Sequence, residues 1–350
     1  MIEIEDENGV VEMDTENKKF SRRKFVKIAG GIIAGAAGLY TFLPGMRAWP
    51  QQVVDSAKAI ARHYLPMGGI DALSVRQIIT QDSSNSRTIM WQSELVEKDA
   101  VVEYRRKGNE DIKSSLATDE EFADDKRMTY IHTTVLKDLA AGAQYEYRVG
   151  YDDKRSDWHD LSTDDGGTFK ALIFPDSQSN DYSDWKNLAQ FAKRENPDVA
   201  FFVNMGDLVD NGEDHTQWRA WFDSLNGIID TIPVVPLLGN HETYNQDWKV
   251  RMPKAYLHLF CLPANGDAER RRDRLYNFQP DTRGPLYIVT GVAGNVRYPN
   301  LWVNHPFDKA VAPQPETDNY MTLEVTGNTL KLASFLPFGE RIDQVEIAKN

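Results

Sequence analysis

Asp198-Val199-Ala200-Phe201-Phe202-Val203-Asn204-Met205-Gly206-Asp207-Leu208-Val209-Asp210-Asn211-Gly212 runs from an apolar stretch straight into a loop of glycine and acidic residues. The near-continuous hydrophobic part, Asp198–Met205, reads as a strand buried on both faces, as in a parallel sheet. Elements of the same kind lie on either side. Upstream, Thr168–Phe174 reads as a strand and Tyr182–Glu195 as an amphipathic helix stopped by Asn196-Pro197. Downstream, His215–Asn226 reads as a helix and Pro233–Leu238 as a second buried strand. From Gly167 onward the chain therefore alternates β and α, and each strand ends in a polar loop carrying Asp or Asn. In open α/β sheets, ligand sites lie outside the carboxyl ends of the strands.

Three such loops carry candidate chemistry. They are Phe174-Pro175-Asp176-Ser177-Gln178, then Asn204 to Gly212, then Leu238-Gly239-Asn240-His241-Glu242. Asp207 follows Asp176 by 31 positions and Asn240 follows Asp207 by 33, one βα unit in each case, so the loops should line one sheet edge. Hydrolysis of a phosphate ester brings hydroxide to an anion. Two metal ions about 3.5–4 Å apart do this by acidifying a water and neutralising phosphate oxygens. Asp207 can bridge both ions, Asp176 can serve one, and the Asn240 amide oxygen can serve the other. His241 is placed to hydrogen-bond the phosphate or to protonate the leaving group. Gly206 and Gly239 permit tight turns beside the site. Gln178, Asp210, Asn211 and Glu242 are candidates for support around these residues. Asp207 alone could be a helix N-cap and Asn240-His241 alone a turn; two such loops one unit apart, each after an apolar strand, outweigh that reading.

The Gly-Asp-x-x-Asp-Asn-Gly and Gly-Asn-His-Glu loops resemble the signature of the calcineurin-like metallophosphoesterase superfamily. The resemblance implies a calcineurin-like α/β (α+β) β-sandwich flanked by helices, and two divalent or trivalent metal ions (Fe, Mn or Zn). It also implies a phosphate-ester substrate, a phosphomonoester or a phosphodiester. Two positions depart from the pattern. Gln178 stands where the family often has a histidine, and it is the weaker ligand for a transition metal. Asp210 stands where purple acid phosphatases carry a tyrosine three positions after the second-loop Asp, so no tyrosinate–iron colour is expected.

The family pattern continues with a further loop histidine and a Gly-His-x-His motif. Downstream of His241 the chain has only His258 and His305, neither in that context. His258 lies in a helix-like run and reads as packing. The resemblance resumes at Leu275–Gln279, at Gly284–Gly294, and in a terminal hairpin of Tyr320–Val325, Gly327-Asn328 and Thr329–Phe335. The break reads as an internal deletion near Gln279–Asp281, either a genuine lack of half the metal ligands or a gap in the sequence as written, and it leaves residues 167–350 as an incomplete metallophosphoesterase domain.

Before Gly167 the signal is all-β. Val75–Thr80, Arg87–Gln92, Ala100–Tyr104, Tyr130–Leu136 and Gln144–Tyr151 are short runs rich in β-branched and aromatic residues, separated by turn residues. The segment Leu136–Val149 resembles the late strands of fibronectin type III-like domains, with Leu139 and Tyr145 packing a corner. Residues 73–165 are accordingly expected to form an N-terminal sandwich of the purple acid phosphatase type, and residues 50–72 a linker with a short helix over Val53–Tyr64.

The 350 residues carry a formal charge of −13, which disfavours nucleic acid as a partner. The single cysteine, Cys261, forbids intramolecular disulfides and sits in an apolar run that reads as buried. At the N-terminus, Ser21-Arg22-Arg23-Lys24-Phe25-Val26-Lys27 precedes an apolar, glycine-rich stretch, Ile28–Leu43. This resembles a twin-arginine signal, and residues 1–49 are read as signal or anchor. Export from the cytoplasm through the twin-arginine machinery is expected, with 28–43 leaving open an uncleaved membrane tether. Three functional readings follow: a two-metal phosphoesterase; a non-catalytic relative in which the sandwich is a binding module; and a tethered adhesion protein.

Overall fold

The computed structural model describes residues 70–263, apart from 71, 98 and 126, together with 290–296 and 317–348. The candidate signal and tether, the linker helix, the 279–281 junction and His305 lie outside the described residues. Among those residues no helix is long and apolar enough to cross a membrane.

The N-terminal region is a sandwich of nine strands. These are β1 (Leu73–Ile78), β2 (Arg87–Ser93), β3 (Val101–Arg106), β4 (Lys113–Leu116), β5 (Thr118–Asp124), β6 (Arg127–Leu136), β7 (Gln144–Tyr151), β8 (Lys154–Arg155) and β9 (His159–Ser162). One layer runs β1-β2-β6-β5; the other runs β4-β3-β7, with β7 also pairing β8 and β9. Ile89, Trp91, Val102, Tyr147, Val149 and Leu161 fill the space between them. Leu139 is buried at the expected corner, and the Tyr145 hydroxyl accepts the Ala140 amide there at 2.8 Å.

The second region alternates as the sequence predicts. It contains β10 (Phe169–Phe174), α1 (Ser183–Glu195), β11 (Phe201–Asn204), α2 (His215–Ser224), β12 (Val234–Pro236), α3 (Lys254–Leu259), β13 (Tyr320–Val325), β14 (Thr329–Phe335) and β15 (Arg341–Ala348). Strands β10, β11 and β12 are parallel neighbours, and β13-β14-β15 add antiparallel to β10. Helix α2 is capped by Asp214, whose carboxylate accepts the Thr216 and Gln217 amides at 2.8 and 3.4 Å, so the charged acceptor also meets the positive end of the helix. The aromatic faces of α1 and α2 meet the sheet: Trp185 and Trp221 stack at 6.3 Å, and Phe174 packs edge-on against Trp185 at 5.0 Å. Trp218 and Trp221 are core residues.

Two results differ from the sequence reading. Cys261 is exposed, because α3 ends at Leu259 and the chain leaves the core after Phe260, which stays buried. And β1 pairs in parallel with β12, Ile78 opposite Val234, so the sheets of the two regions join into one of ten strands ordered β15-β14-β13-β10-β11-β12-β1-β2-β6-β5. The Gln77 amide donates to the Ile229 carbonyl at 2.8 Å, and the Tyr147 hydroxyl donates to the Asp230 carbonyl at 2.8 Å across the same seam.

Candidate active site

The parallel register of β10, β11 and β12 sends all three candidate loops out of one sheet edge, side by side. Backbone contacts then lock them together. The Asp207 carbonyl accepts two amides of the first loop, Ser177 at 3.1 Å and Gln178 at 2.9 Å. The Asp207 carboxylate accepts the His241 amide of the third loop at 2.9 Å. Asp207 itself sits at φ 46, a left-handed conformation that a non-glycine residue adopts only when its surroundings hold it there. Close approach explains the two glycines. A Cβ on Gly206 would lie 2.9 Å from the Gly239 nitrogen, and a Cβ on Gly239 would collide with the Asp207 carboxylate.

Glu242 does the most to join the loops. Its buried carboxylate accepts the amides of Asp207 (3.0 Å), Leu208 (2.7 Å), Val209 (3.3 Å) and Gly239 (2.7 Å). Burial pushes its carboxyl up to about 7, against the pull of these amides. Asp176, half-buried, is pushed up to about 6, by burial first and by the Asp207 charge second. The structure therefore brings Asp176, Asp207, Asn240 and His241 to one edge. Asp210 and Asn211 lie in the connecting turn. The His241 Nδ1 lies 2.7 Å from the Asp210 carbonyl. A carbonyl can only accept, so Nδ1 carries the hydrogen and Nε2 is left for another partner. Asn211 is a scaffold residue: its amide Nδ2 donates to the Asn245 carbonyl at 2.7 Å and its Oδ1 accepts the Glu213 amide at 3.1 Å.

The sequence reading missed a buried web beneath the first loop. Ser177 Oγ donates to Asn204 Oδ1 at 2.9 Å and accepts the Trp221 indole N–H at 2.9 Å, while Asn204 Nδ2 donates to the Pro175 carbonyl at 3.0 Å. Its one legible signal is Asn204, a polar residue at the end of an apolar strand. The segment 290–296 also joins the site: Ala293 and Gly294 donate to the Asp176 carbonyl at 2.6 and 2.9 Å.

The fit of these residues to metal ions can be judged from their own partners. Two carboxylates, Asp176 and Asp207, lie at one edge, and the charge of Asp207 adds to burial in raising the cost of ionising Asp176. Gln178 Oε1 is buried and has no hydrogen-bond partner. Asn240 spends its amide Nδ2 on the Tyr244 hydroxyl at 3.4 Å, which leaves Oδ1 free to ligate. These are hard oxygen donors with surplus negative charge, and they fit one cation. They do not complete two transition-metal shells. His132, His159 and His258 pair with Asp119, Asp230 and Glu120, and His258 also stacks on Phe122 at 4.5 Å, the packing role its sequence context predicts. Among the described residues, no three His, Cys, Asp or Glu side chains converge as a metal cage.

Comparisons with known proteins agree with this architecture. The purple acid phosphatase N-terminal domain matches residues 73–163, and the calcineurin-like phosphoesterase domain matches residues 156–323. A purple acid phosphatase isolated from yellow lupin (Lupinus luteus) seeds shares the fold, with TM-score 0.63 at 14% identity over 80% of this chain and 74% of that one. PhoD aligns with TM-score 0.37 at 12% identity over 53% of this chain and 43% of its own. No curated protein matches the chain.

Proposed function

Because the chain belongs to the calcineurin-like metallophosphoesterases of the purple acid phosphatase type, a family of metal-dependent phosphoester hydrolases with binuclear centres, we propose that it binds and hydrolyses a phosphate ester at the edge formed by β10, β11 and β12. The observation that carries the reading is the oxygen-rich surplus of negative charge there, with the Gln178 oxygen buried and unpartnered. Asp176, Asp207 and Asn240 would hold a metal ion, with the Gln178 oxygen as a further donor. The chemistry a bound ion supplies is a more acidic water and neutralised phosphate oxygens.

The protein's own groups do the rest. Glu242 ties the second loop to the third and keeps Asp207 in its left-handed pose. The Asp210 carbonyl fixes the His241 ring by taking the Nδ1 hydrogen. When protonated, Nε2 then donates to a phosphate oxygen or to the departing ester oxygen, and when neutral it accepts. Ser177, locked by Asn204 and Trp221, holds the first loop against the second.

The test is turnover and metal content together. The full chain is loaded with Mn, Fe or Zn, assayed with p-nitrophenyl phosphate, and its bound metal is measured. Turnover that disappears in Asp207→Asn supports hydrolysis. Metal-free, inactive protein after all three loadings overturns it and favours the second reading, a non-catalytic binding module. The commitment of His132, His159 and His258 to carboxylates elsewhere favours that second reading.

We also propose export by the twin-arginine route, resting on Arg22-Arg23 and the apolar stretch 28–43. Replacing both arginines by lysine should hold the protein in the cytoplasm; unchanged export would refute the route.

A further inference from the structure

The turn after the third loop ends in an aromatic side chain that the fold does not use. Tyr244 and Val250 form an isolated antiparallel bridge around the turn Asn245–Lys249. The Asn245 side chain clamps it, accepting the amides of Asp247 at 3.1 Å and Lys249 at 2.8 Å, and the Trp248 amide donates to the Asn245 carbonyl at 2.8 Å. The turn is tied to the second site loop, because Asn211 Nδ2 also donates to the Asn245 carbonyl at 2.7 Å and the Gln246 amide donates to Glu213 at 2.8 Å. The clamp holds Trp248 at φ 59, a left-handed conformation that is an outlier for so bulky a residue, and leaves it 57% exposed.

The direction of this side chain gives it a use. The Trp248 ring lies 6.3 Å from the His241 ring, nearly perpendicular to it, and 5.9 Å from Tyr244. Tyr244 is edge-on to His241 at 5.3 Å and carries the hydroxyl that holds Asn240. Two aromatic rings thus stand beside the histidine and asparagine of the site. Met205, Leu237 and Leu238, exposed at the ends of β11 and β12, extend an apolar rim along the same edge. Aromatic faces bind planar π-systems, and each stacked base contributes enough to change affinity severalfold.

We propose that Tyr244 and Trp248 form a stacking platform for the organic part of the ligand, so that the site selects phosphate esters whose phosphate sits close to a planar aromatic group. The proposal rests on the phosphoester reading of the same site. Two sources share this chemistry, a nucleoside monophosphate and an aryl phosphate.

Calorimetric binding to the Mn-loaded full chain tests it without requiring turnover. The probes are adenosine 5′-monophosphate, p-nitrophenyl phosphate, glycerol phosphate and inorganic phosphate, against wild type, Trp248→Ala and Trp248→Phe, with thermal unfolding to show that the variants fold. Wild type should bind one of the aromatic esters about tenfold more tightly than glycerol phosphate, and Trp248→Ala should remove that margin while Trp248→Phe keeps most of it. Glycerol phosphate and inorganic phosphate should bind all three proteins within about twofold of each other, since they have no ring to stack. Which aromatic ester gains identifies the source. An equal loss for all four probes in Trp248→Ala overturns the platform and makes Trp248 a support for His241; an unchanged aromatic preference overturns it outright. Failure of every probe, inorganic phosphate included, to bind wild type overturns the phosphoester reading beneath it.

Discussion

Replacing Glu242 by Ala should unfasten the site before it affects any chemistry. Its carboxylate accepts four backbone amides from two loops, and the residue is fully buried. Alanine leaves those donors without a protein acceptor. Each orphaned buried donor costs about 1–3 kcal/mol, and water entering the vacated space recovers part of the loss, so a net destabilisation of roughly 4 kcal/mol is expected. For a unit of this size that lowers the melting temperature by on the order of 10 °C. Glu242→Gln separates the mechanisms. Whichever way the amide turns, its NH2 group faces either the Asp207 and Gly239 amides or those of Leu208 and Val209, which is donor against donor. A protonated carboxyl can rotate its hydrogen aside and still accept; an NH2 group has no lone pair to offer. Glutamine should therefore cost roughly 2–3 kcal/mol despite its identical shape.

The same residue predicts a pH profile. Its carboxyl rises from 4.5 to about 7 in the fold, chiefly through burial. A raised acid pKa means that the fold favours the protonated form. That contribution is complete below pH 4.5 and is lost as pH climbs through about 7, a change of about 3 kcal/mol. Denaturant unfolding of the metal-free protein between pH 4 and 8 should show stability falling across this window. Glu242→Gln should abolish the fall between about 6 and 7 and reduce the slope between 4.5 and about 6, leaving the part due to Asp176 and its rise from 3.8 to about 6. Wild-type stability for Glu242→Ala, or for Glu242→Gln, would refute the four-amide account. A flat pH profile would refute the balance between burial and amides.

Three further outcomes are expected. Gly239→Ala should push the second and third loops apart, because its Cβ collides with the Asp207 carboxylate; a loss above about 2 kcal/mol in denaturant unfolding is expected, and a tolerated alanine would contradict the contact. A divalent cation at a hundredfold excess over its dissociation constant should stabilise the protein by about 2.7 kcal/mol, read as a thermal shift that Asp207→Asn abolishes; an undiminished shift in that variant would place the ion elsewhere. Tyr147→Phe removes the hydroxyl bonded at 2.8 Å to the Asp230 carbonyl and should cost about 1 kcal/mol in urea unfolding, while a null effect would mean that this seam contributes no stability.

What could be read in advance follows from how local each feature is. Gln144–Tyr151 and the hairpin of β13 and β14 emerge at their expected limits because dense β-branched and aromatic residues meet clear turn residues there. The buried strands come out shorter than their apolar runs: Asp198–Met205 shrinks to Phe201–Asn204, since hydrophobicity marks burial while pairing sets the strand. Strands β4, β5 and β9 went unread; their sequences, Lys113–Leu116, Thr118–Asp124 and His159–Ser162, are polar and largely exposed, and they form only because a neighbour supplies the ladder. The three site loops were legible because each follows a buried strand. The anchors beneath them were not. Ser177, Asn204 and Trp221 meet across 27 to 44 positions of sequence, and nothing local to Trp248 signals that its backbone is left-handed.

The seam between β1 and β12 bears on what holds the candidate site in place. A central strand such as β12 needs partners on both sides, and an open edge invites pairing with another chain. Here β11 takes one side and β1 the other, with the Ile79 amide donating to the Val234 carbonyl at 3.2 Å. The Gln77 side chain seals the junction by donating to the Asp160 and Asp230 carbonyls at 2.7 and 3.0 Å. Next to it, the buried Arg76 donates to the Leu259 carbonyl at 2.8 Å and lies 4.9 Å from the Phe222 ring. The N-terminal sandwich thus supports the strand that delivers Asn240 and His241, while β13 supports the strand that delivers Asp176. Strand β11, which delivers Asp207, is held between them. The candidate oxygen donors therefore stand on a sheet paired on both sides of every contributing strand. That support comes from strand pairing and uses no histidine. A metal titration of this protein consequently reports on its donor set, because strand pairing, and not the site's own side chains, holds those donors at one sheet edge.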